Sequence, residues 1–333
     1  MRLNPFTPLS LKFLSTPIIT PVVLIIFNKP NETQQVFDAI RKAQPAKLYL
    51  ICDGPRTNHP TDTQDITACQ KIVSNINWPC EVIHDYSTIN LGCGPRIDSG
   101  LSGVFEKEEQ AIILEDDCLP SKSFFPFCQE LLNRYKTHDE IKHISGTSFQ
   151  WGRNNVPESY FFSKYPCPWG YATWRRSWNT MTNGIHDWPN HLTRNRILKN
   201  ITTQKEKNFW IHTFNQMYSD NKNQPVWSDQ GHQRTYSFWY NNGISITPNK
   251  NLVTYIGYTS TATHTQDIVR NAIIPKKEIY SITHPQKIEI HKKADQRTFN
   301  VCYYNQELNP IKQFLNFTKI QCGQLKRKLA TFW

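Results

Sequence analysis

Several features are missing from this sequence, and each absence excludes a class of protein. The nine cysteines form no Cys-x-x-Cys pair, which argues against a zinc ribbon or a thioredoxin-type site. Their odd number and wide spacing in a chain of 333 residues also argue against a secreted disulfide framework. We therefore predict reduced cysteines, most of them in the core of a cytoplasmic protein.

The sequence also lacks a long apolar run. The segment 17–27 is too short and too interrupted by proline to cross a membrane, and no small-residue cleavage site of a signal peptide follows it. Internal repeats and low-complexity tracts are absent as well. A hydrophobic content of 38% with 13% aromatic residues is typical of a globular protein.

Acidic residues are fewer than basic ones, and the formal net charge is +11. This excess favours anionic partners such as nucleic acid, nucleotide phosphates or a membrane surface. A nucleic-acid-binding module should interleave basic and aromatic residues on a recognisable fold. Here the main basic run is terminal and helical, so we predict no nucleic-acid partner.

The first half of the chain alternates strand and helix patterns. Strands are predicted at 22–27, 47–52, 80–84, 111–114 and 141–145, and the helices between them begin near Asn31, Ile66, Ile97 and Phe124. Asn31 and Gln34 have the spacing of a capping box. This rhythm predicts an α/β fold with a mostly parallel central sheet flanked by helices, with residues 21–150 as a nucleotide-binding half.

The second half, 151–275, is rich in aromatic residues and loses this rhythm. Aromatic rings line sugar-binding sites, but core packing is the alternative for most of them. Ser228 is predicted to cap a helix that runs to Asn242, with Gly243 as its stop.

The clearest functional feature is the segment 111–120 (AIILEDDCLP). Four apolar residues run into Glu115, Asp116 and Asp117, which predicts a buried strand ending at the ligand-binding edge of a sheet. Adjacent carboxylates repel one another unless a positive charge lies among them. Mg²⁺ typically uses one or two carboxylates together with substrate phosphates. The alternative is a solvated acidic turn.

Several ordered blocks extend this observation. They are PVVLIIFNKP (21–30), ICDGPR (51–56), NLGC (90–93), ILEDDCLP (113–120), PWGYATWRRSW (168–178), NNGISITPN (241–249) and ATHT (262–265). Together they resemble the GT-A-fold glycosyltransferases, in particular a bacterial group of nucleotide-diphospho-sugar transferases of which some are labelled hemolytic-protein-like. The arrangement is also similar to the N-acetylglucosaminyltransferases that begin complex N-glycans.

The resemblance implies a role for each matching residue. Asp117 would bind Mn²⁺ or Mg²⁺. His264 would be a second metal ligand or a phosphate contact, and a structural histidine is the alternative. The remaining roles are Glu115 or Asp116 at the ribose, Asp53 at the nucleoside, Phe27 and Asn28 at the base, Arg96 at the pyrophosphate, and Trp169, Gly170 and Trp174 on the acceptor side. In this chain Gly94 and Pro95 intervene where the family has basic residues, so a solvated arginine at a helix start is the alternative for Arg96. Cys118 is expected to be a packed thiol, because the site is rich in hard oxygen ligands.

The implied reaction transfers a sugar from a nucleotide diphosphate, with a UDP-sugar favoured, to a glycan or lipid-linked glycan acceptor in bacterial surface glycan synthesis. Asp229, in the segment Trp227-Ser228-Asp229, is the candidate base, because a carboxylate at a helix N-terminus is held ionised. The alternative for Asp229 is a structural role, in which its charge only complements the helix dipole. One base and one metal suit inversion at the anomeric carbon. A sugar-phosphate nucleotidyltransferase and a non-catalytic nucleotide-sugar-binding protein are the other candidates, although the turn after the first strand is not the glycine-rich loop of a nucleotidyltransferase.

The ends of the chain complete the predicted organisation. We predict an arm at residues 1–20 and an extension at residues 276–333. Between Ile311 and Trp333, apolar residues recur at helical spacing with only positive charges among them. This pattern predicts a basic amphipathic helix that either holds the protein peripherally on the inner face of an anionic membrane or packs against the catalytic domain.

Overall fold

The computed structural model describes residue 13 and residues 16–150, 156–182, 184–220, 230–257 and 274–304. In the first half, strands and helices alternate as the sequence predicts. The elements are β1 (Val22–Ile26), α1 (Pro30–Ala43), β2 (Lys47–Cys52), α2 (Asp62–Val73), β3 (Glu81–Tyr86), α3 (Cys93–Lys107) and β4 (Gln110–Glu115).

The remaining elements follow along the chain. They are β5 (Cys118–Pro120), α4 (Phe124–Arg134), β6 (Ile141–Ser145), β7 (Tyr160–Ser163), β8 (Tyr171–Trp174), α5 (Arg175–Trp178), α6 (His191–Leu198), α7 (Gln204–Asp220), α8 (Gln230–Tyr240), β9 (Ile244–Pro248), β10 (Val253–Tyr255) and α9 (Lys292–Cys302). The predicted cap Ser228 lies outside the described residues, and α8 ends two residues before Asn242.

The central sheet of the described residues has eight strands in the order β3-β2-β1-β4-β8-β6-β9-β7. Strands β1 to β4 are parallel to one another, and β6 and β9 are also parallel. Strand β8 is antiparallel to both β4 and β6, and β7 is antiparallel to β9. The predicted α/β class with a mostly parallel, helix-flanked sheet is confirmed.

Helix α1 shows how the sequence pattern places a helix on this sheet. Its buried residues Thr33, Val36, Phe37 and Ile40 recur at three- and four-residue spacing, which puts them on one face. The predicted capping box is wrong, because the helix begins at Pro30 and Lys29 occupies the N-cap without a side-chain bond. Proline suits the first helical position, where no partner for an N–H is needed.

Within the described residues, the core has three parts. Helices α1, α2 and α4 cover one face of the sheet, whereas α3 covers the other through Ile97, Leu101, Val104 and Phe105. A third cluster is built mainly from aromatic residues of the second half, including Tyr165, Trp188, Trp210, Phe214 and Trp239. Core packing therefore accounts for most of these rings.

Two negative predictions concern cysteines and membranes. The described cysteines are free thiols, and Cys52, Cys69, Cys118, Cys128 and Cys167 are buried. Among the helices of the described ranges, none is long and apolar enough to cross a membrane. The predicted amphipathic tail lies beyond residue 304 and thus outside the described residues.

Candidate functional site

The site lies where the strand order of the sheet reverses. From β1 the chain moves outward to β2 and β3, and it then returns to place β4 on the other side of β1. Ile25 pairs with Glu115, so the carboxyl ends of β1 and β4 lie side by side. In open α/β sheets, ligands bind in the crevice outside the carboxyl ends of the strands at such a switch point.

The acidic triplet meets the end of β1 through direct bonds. The Phe27 backbone N–H donates to Asp116 Oδ2 at 2.9 Å. Lys29 Nζ donates to Asp117 Oδ2 at 2.6 Å and lies 4.0 Å from Asp116 Oδ1. Asp116 and Asp117 are only 6% and 5% exposed, so the triplet is not a solvated turn.

Burial makes the charge balance of this cluster important. Burial and the charge of Asp117 raise the pKa of Glu115 to about 7 and that of Asp116 to about 8. Burial opposes protonation of Lys29, but the charges of Asp117 and Asp116 outweigh it and raise the Lys29 pKa above its usual range. The strand ends therefore attract positive charge, and Lys29 supplies part of it.

A second wall of the site comes from β10. Tyr255 pairs with Cys118, and the Ile256 N–H donates to the Asp117 carbonyl at 2.8 Å. A Cβ atom on Gly257 would lie only 2.5 Å from Asp117 Oδ2. Only glycine therefore allows this backbone to pass so close to the carboxylate.

Two of the three predicted acceptor-side residues are connected to this wall. The Trp169 ring stacks on Tyr255 with centroids 4.7 Å apart. Gly170 has a φ of +63°, and a Cβ atom there would lie 2.8 Å from Val253 Cγ2 and 3.1 Å from Leu114 Cδ2. The polypeptide thus turns tightly over the end of β4.

Trp174, the third predicted acceptor-side residue, lies away from Trp169 and Gly170. It pairs with Gln110, at the amino end of β4, whereas the triplet follows the carboxyl end. The five intervening steps of strand correspond to roughly 16 Å. The ring is 3% exposed, and its Nε1 donates to the Leu132 carbonyl at 3.2 Å. The structure therefore places Trp174 in the core and away from the triplet, and its predicted role on the acceptor side stays untested.

Asp53 follows β2 and organises the loop that leads into α3. Its Oδ1 accepts from the N–H groups of Gly54 at 2.9 Å and Leu91 at 3.0 Å, and its Oδ2 accepts from the Gly92 N–H at 2.9 Å and from Asn90 Nδ2 at 3.1 Å. These bonds fix the start of α3 beside the site. A contact with a nucleoside stays a prediction.

Arg96 is likewise used within the protein. It is 4% exposed, with Nε donating to the Cys52 carbonyl at 3.1 Å and Nη2 lying 2.7 Å from Asp85 Oδ1. Its guanidinium ties the carboxyl ends of β2 and β3 together. It is therefore not the solvated arginine of the alternative interpretation, and its predicted contact with a pyrophosphate stays untested.

Phe27 and Asn28 belong to a small network beyond β1. Asn28 Nδ2 donates to Asp62 Oδ1 at 2.8 Å, and Arg56 Nε donates to Asp62 Oδ2 at 2.7 Å. The Arg56 guanidinium carbon lies 5.3 Å from the centre of the Phe27 ring. The network holds the predicted base-contact residues against α2.

We predict that the Asp62–Arg56 pair makes stability depend on acid pH. Hydrogen bonds from Arg56 lower the pKa of the fully buried Asp62 from 3.8 to about 2. The ionised form is thus favoured in the folded state, so its stabilisation is present above pH 3.8 and disappears as the pH falls towards 2. It amounts to about 2 kcal/mol at neutral pH and to roughly half of that at pH 3.

Urea unfolding of the wild type and of Asp62→Asn at pH 7 and pH 3 measures this effect. The difference in unfolding free energy should shrink by about 1 kcal/mol at the lower pH. Arg56→Met should remove the same pH-dependent part. An equal difference at both pH values would contradict the assignment.

Two predicted site residues lie outside the described residues. They are Asp229, the candidate base, and His264, the second candidate metal ligand. Both roles therefore stay predictions. Asp229 directly precedes α8, whose first residue is Gln230.

The donor atoms at the strand ends fit a hard divalent cation. They are carboxylate oxygens in a cluster that already holds one ammonium group 2.6 Å from Asp117. Within the described ranges, no group of three His, Cys, Asp or Glu side chains is arranged to hold a metal. Asp117 stays the predicted ligand within this part of the chain, and Mg²⁺ commonly completes its coordination with substrate phosphates and water.

Sequence analysis did not assign a role to Lys29, Tyr255, Gly257 or Arg234. Only for Lys29 could the sequence have indicated a role in the site, because a cation there directly follows β1 and precedes the proline at the start of α1. The other three residues lie more than a hundred positions after the triplet in the sequence, so their approach to it depends on tertiary structure.

Comparison with known protein families and with curated protein sequences finds no match. Among solved structures, UDP-glucose pyrophosphorylase in complex with UDP-glucose is similar at 10% identity with a TM-score of 0.33. The apo form of a UDP-glucose pyrophosphorylase is similar at 9% identity with a TM-score of 0.35. Each match covers 69% of this chain and 90% of the other chain. At these TM-scores the likeness carries no argument about function.

The fold and the site together define the class of this protein. It is an α/β protein with a buried carboxylate cluster and a paired lysine at the switch point of its sheet.

Proposed function

We propose that this protein is a GT-A-type glycosyltransferase that moves a sugar from a nucleotide diphosphate to an acceptor hydroxyl. The observation that carries the proposal is the Lys29–Asp117 pair, at 2.6 Å, at the adjoining carboxyl ends of β1 and β4. Nucleotides bind at such switch points. Transfer of a sugar from a diphosphate requires positive charge near the leaving phosphates, and this cluster collects it.

Each group has a part in this proposal. Phe27 and Asn28 receive the base, and Asp116 or Glu115 contacts the ribose. Lys29 leaves Asp117, to which it donates in this structure, and donates to a phosphate oxygen instead. A divalent cation held by Asp117 would neutralise charge on the leaving diphosphate. The favoured donor is a UDP-sugar. Trp169, which stacks on Tyr255, faces the acceptor side.

The first experiment screens nucleotide sugars against the purified protein with and without Mn²⁺. A donor present at 100 times its dissociation constant should raise the unfolding free energy by about 2.7 kcal/mol, and this appears as a higher melting temperature. Slow hydrolysis of the bound donor should follow. If no nucleotide sugar stabilises the protein and none is hydrolysed by it, the proposal is contradicted.

The same preparation separates the main alternatives. A sugar-phosphate nucleotidyltransferase would release pyrophosphate from a nucleoside triphosphate and a sugar 1-phosphate. The connection from β1 to α1 spans only residues 27–29 and contains no glycine, whereas such an enzyme needs a glycine-rich basic loop there. Donor binding without hydrolysis or transfer would instead indicate a non-catalytic binding protein.

The proposed base is Asp229, directly before α8. Asp229→Asn should keep donor binding and lower the turnover by about 10²-fold or more, since it removes proton abstraction but not the donor site. Donor titration and a transfer assay on the same preparation measure both. A folded variant with a near-normal transfer rate would show that another residue is the base.

We also propose where in the cell the reaction takes place. Surface glycan synthesis at the inner face of a bacterial membrane would suit a lipid-linked acceptor and the basic segment 311–333. Each Lys or Arg near an anionic leaflet contributes about 1 kcal/mol of attraction. Sedimentation with anionic vesicles, for the full chain and for a chain truncated at Asn309, tests whether this segment binds membrane.

A further inference from the structure

A polar cavity of about 470 Å³ lies between α3, α5 and α8, separate from the Lys29–Asp117 pair. Its volume falls within the range of small-molecule sites. Its lining includes Asp98, Ser102 and Glu106 of α3, Trp178 of α5, and Gln233 and Arg234 of α8.

Arg234 forms the inner end of this cavity. Its Nη1 donates to the Tyr171 hydroxyl at 3.0 Å, and its Nη2 lies 3.9 Å from Asp98 Oδ1. The Nη2 atom is buried and has no hydrogen-bond partner among the described residues. Such a donor is costly to bury unless a ligand oxygen completes it. Tyr171 pairs with Ile113, so this end adjoins the carboxyl half of β4.

The cavity extends from Arg234 along α3. Asp98 and Glu106 are eight residues apart on this helix, which corresponds to about 12 Å. Ser102 lies between them and accepts from Trp178 Nε1 at 3.1 Å. The Trp178 ring stacks on Phe105 with centroids 5.6 Å apart, which holds the indole in the wall.

These side chains determine which ligand is compatible. Arg175, at the outer end, is already paired with Glu109 at 2.6 Å, so Asp98 and Glu106 make the cavity unfavourable for an anion. Carboxylates accept from hydroxyl groups, whereas Arg234 and Gln233 offer N–H donors to hydroxyl oxygens. An indole ring adds an apolar surface beside them. A neutral, polyhydroxylated ligand with an apolar face matches this combination.

We propose that this cavity binds the neutral oligosaccharide acceptor of the transferase, with its reacting end at Arg234 and the rest along α3. The inference rests on the proposed function and names its acceptor site. A length of about 12 Å exceeds one pyranose ring, so the cavity suits a saccharide chain better than the single sugar of a nucleotide donor.

Saturation-transfer NMR and calorimetry on the full-length protein test this proposal. The ligands are a panel of neutral oligosaccharides, measured with and without UDP and Mn²⁺. At least one saccharide should bind at millimolar concentration or below. Asp98→Asn and Glu106→Gln should each weaken that binding about tenfold, because each removes a charged hydrogen-bond acceptor. Trp178→Phe should weaken it less, since an aromatic ring remains.

Asp139→Asn is the matched control, because this carboxylate is 94% exposed and lies outside the cavity. It should leave saccharide binding and UDP binding unchanged. The cavity variants should also bind UDP normally. If they lose UDP binding while they remain folded, the cavity belongs to the donor and the inference is wrong.

Two further outcomes separate this inference from the proposed function. Saccharide binding that needs Asp98 and Glu106 in a protein that never binds a nucleotide would support the acceptor cavity and contradict the transferase. Nucleotide-sugar hydrolysis without binding of any neutral saccharide, or with binding that ignores the cavity variants, would overturn the inference and leave the transferase standing.

Discussion

Asp117→Asn is expected to abolish the metal-dependent part of nucleotide-sugar binding and to lower turnover by about 10²–10³-fold, the range for loss of one electrostatic contact to a transition state. Asp117 is 5% exposed and lies 2.6 Å from Lys29 Nζ. An amide of nearly the same shape keeps the packing, but it removes the charge that would hold both the ammonium and a divalent cation.

Calorimetric titration of UDP with and without Mn²⁺ measures the binding part, and a transfer assay measures turnover. Asp139→Asn again provides an exposed carboxylate control. Unchanged metal dependence in a folded Asp117→Asn protein would refute the assignment of Asp117 as the ligand.

Lys29→Met tests in the same assay whether Lys29 contributes to UDP binding independently of the divalent metal ion. If Lys29 contacts the diphosphate, the variant should bind UDP about tenfold more weakly even without metal, because one charged hydrogen bond is lost. Asp117→Asn should leave this metal-free binding largely intact. Equal effects of both substitutions under both conditions would show that the two residues act only as a structural pair.

Lys164→Met is expected to lower the free energy of unfolding by about 3–5 kcal/mol, the usual effect of removing one member of a buried ion pair. Lys164 Nζ lies 2.9 Å from Glu206 Oε1, and these side chains are 3% and 0% exposed. The Tyr165 hydroxyl also donates to Glu206. The substitution leaves the Glu206 charge buried without its ammonium partner and loosens α7 from the segment after β7.

Urea unfolding measures this loss, and two variants serve as controls. Lys205→Met, which changes an exposed lysine one residue from Glu206, should cost less than about 1 kcal/mol. The double variant Lys164→Met/Glu206→Leu should be more stable than Lys164→Met alone, since the unpaired charge is gone. A double variant as unstable as the single one would mean that lost packing, not the buried charge, causes the effect.

Local sequence patterns were sufficient for much of the first half. The predicted strands at 47–52 and 141–145 coincide with β2 and β6. The spacing of Ile97, Leu101, Val104 and Phe105 placed them correctly on the buried face of α3. These features depend on neighbours within a few residues, where hydrophobic periodicity and chain stereochemistry act directly.

The hydrogen-bond partners of the side chains were much harder to predict from the sequence. Asp53 accepts hydrogen bonds from a loop 37 to 39 residues later, and Arg96 binds the ends of two separate strands. Gln34 donates to Asp38 instead of capping α1. A polar side chain has several partners of similar energy, and the fold selects among them by proximity.

The sequence by itself determined the α/β class and the place of Glu115, Asp116 and Asp117 at the end of a buried strand, because an apolar run followed by charges leaves few alternatives. Tertiary structure alone decided that Lys29 meets Asp117 across 88 residues of chain, and that Trp174 lies at the opposite end of β4. The reason is that strand order and direction are set by long-range pairing. The antiparallel insertion of β8 between β4 and β6 reverses the chain and carries Trp174 away from the site.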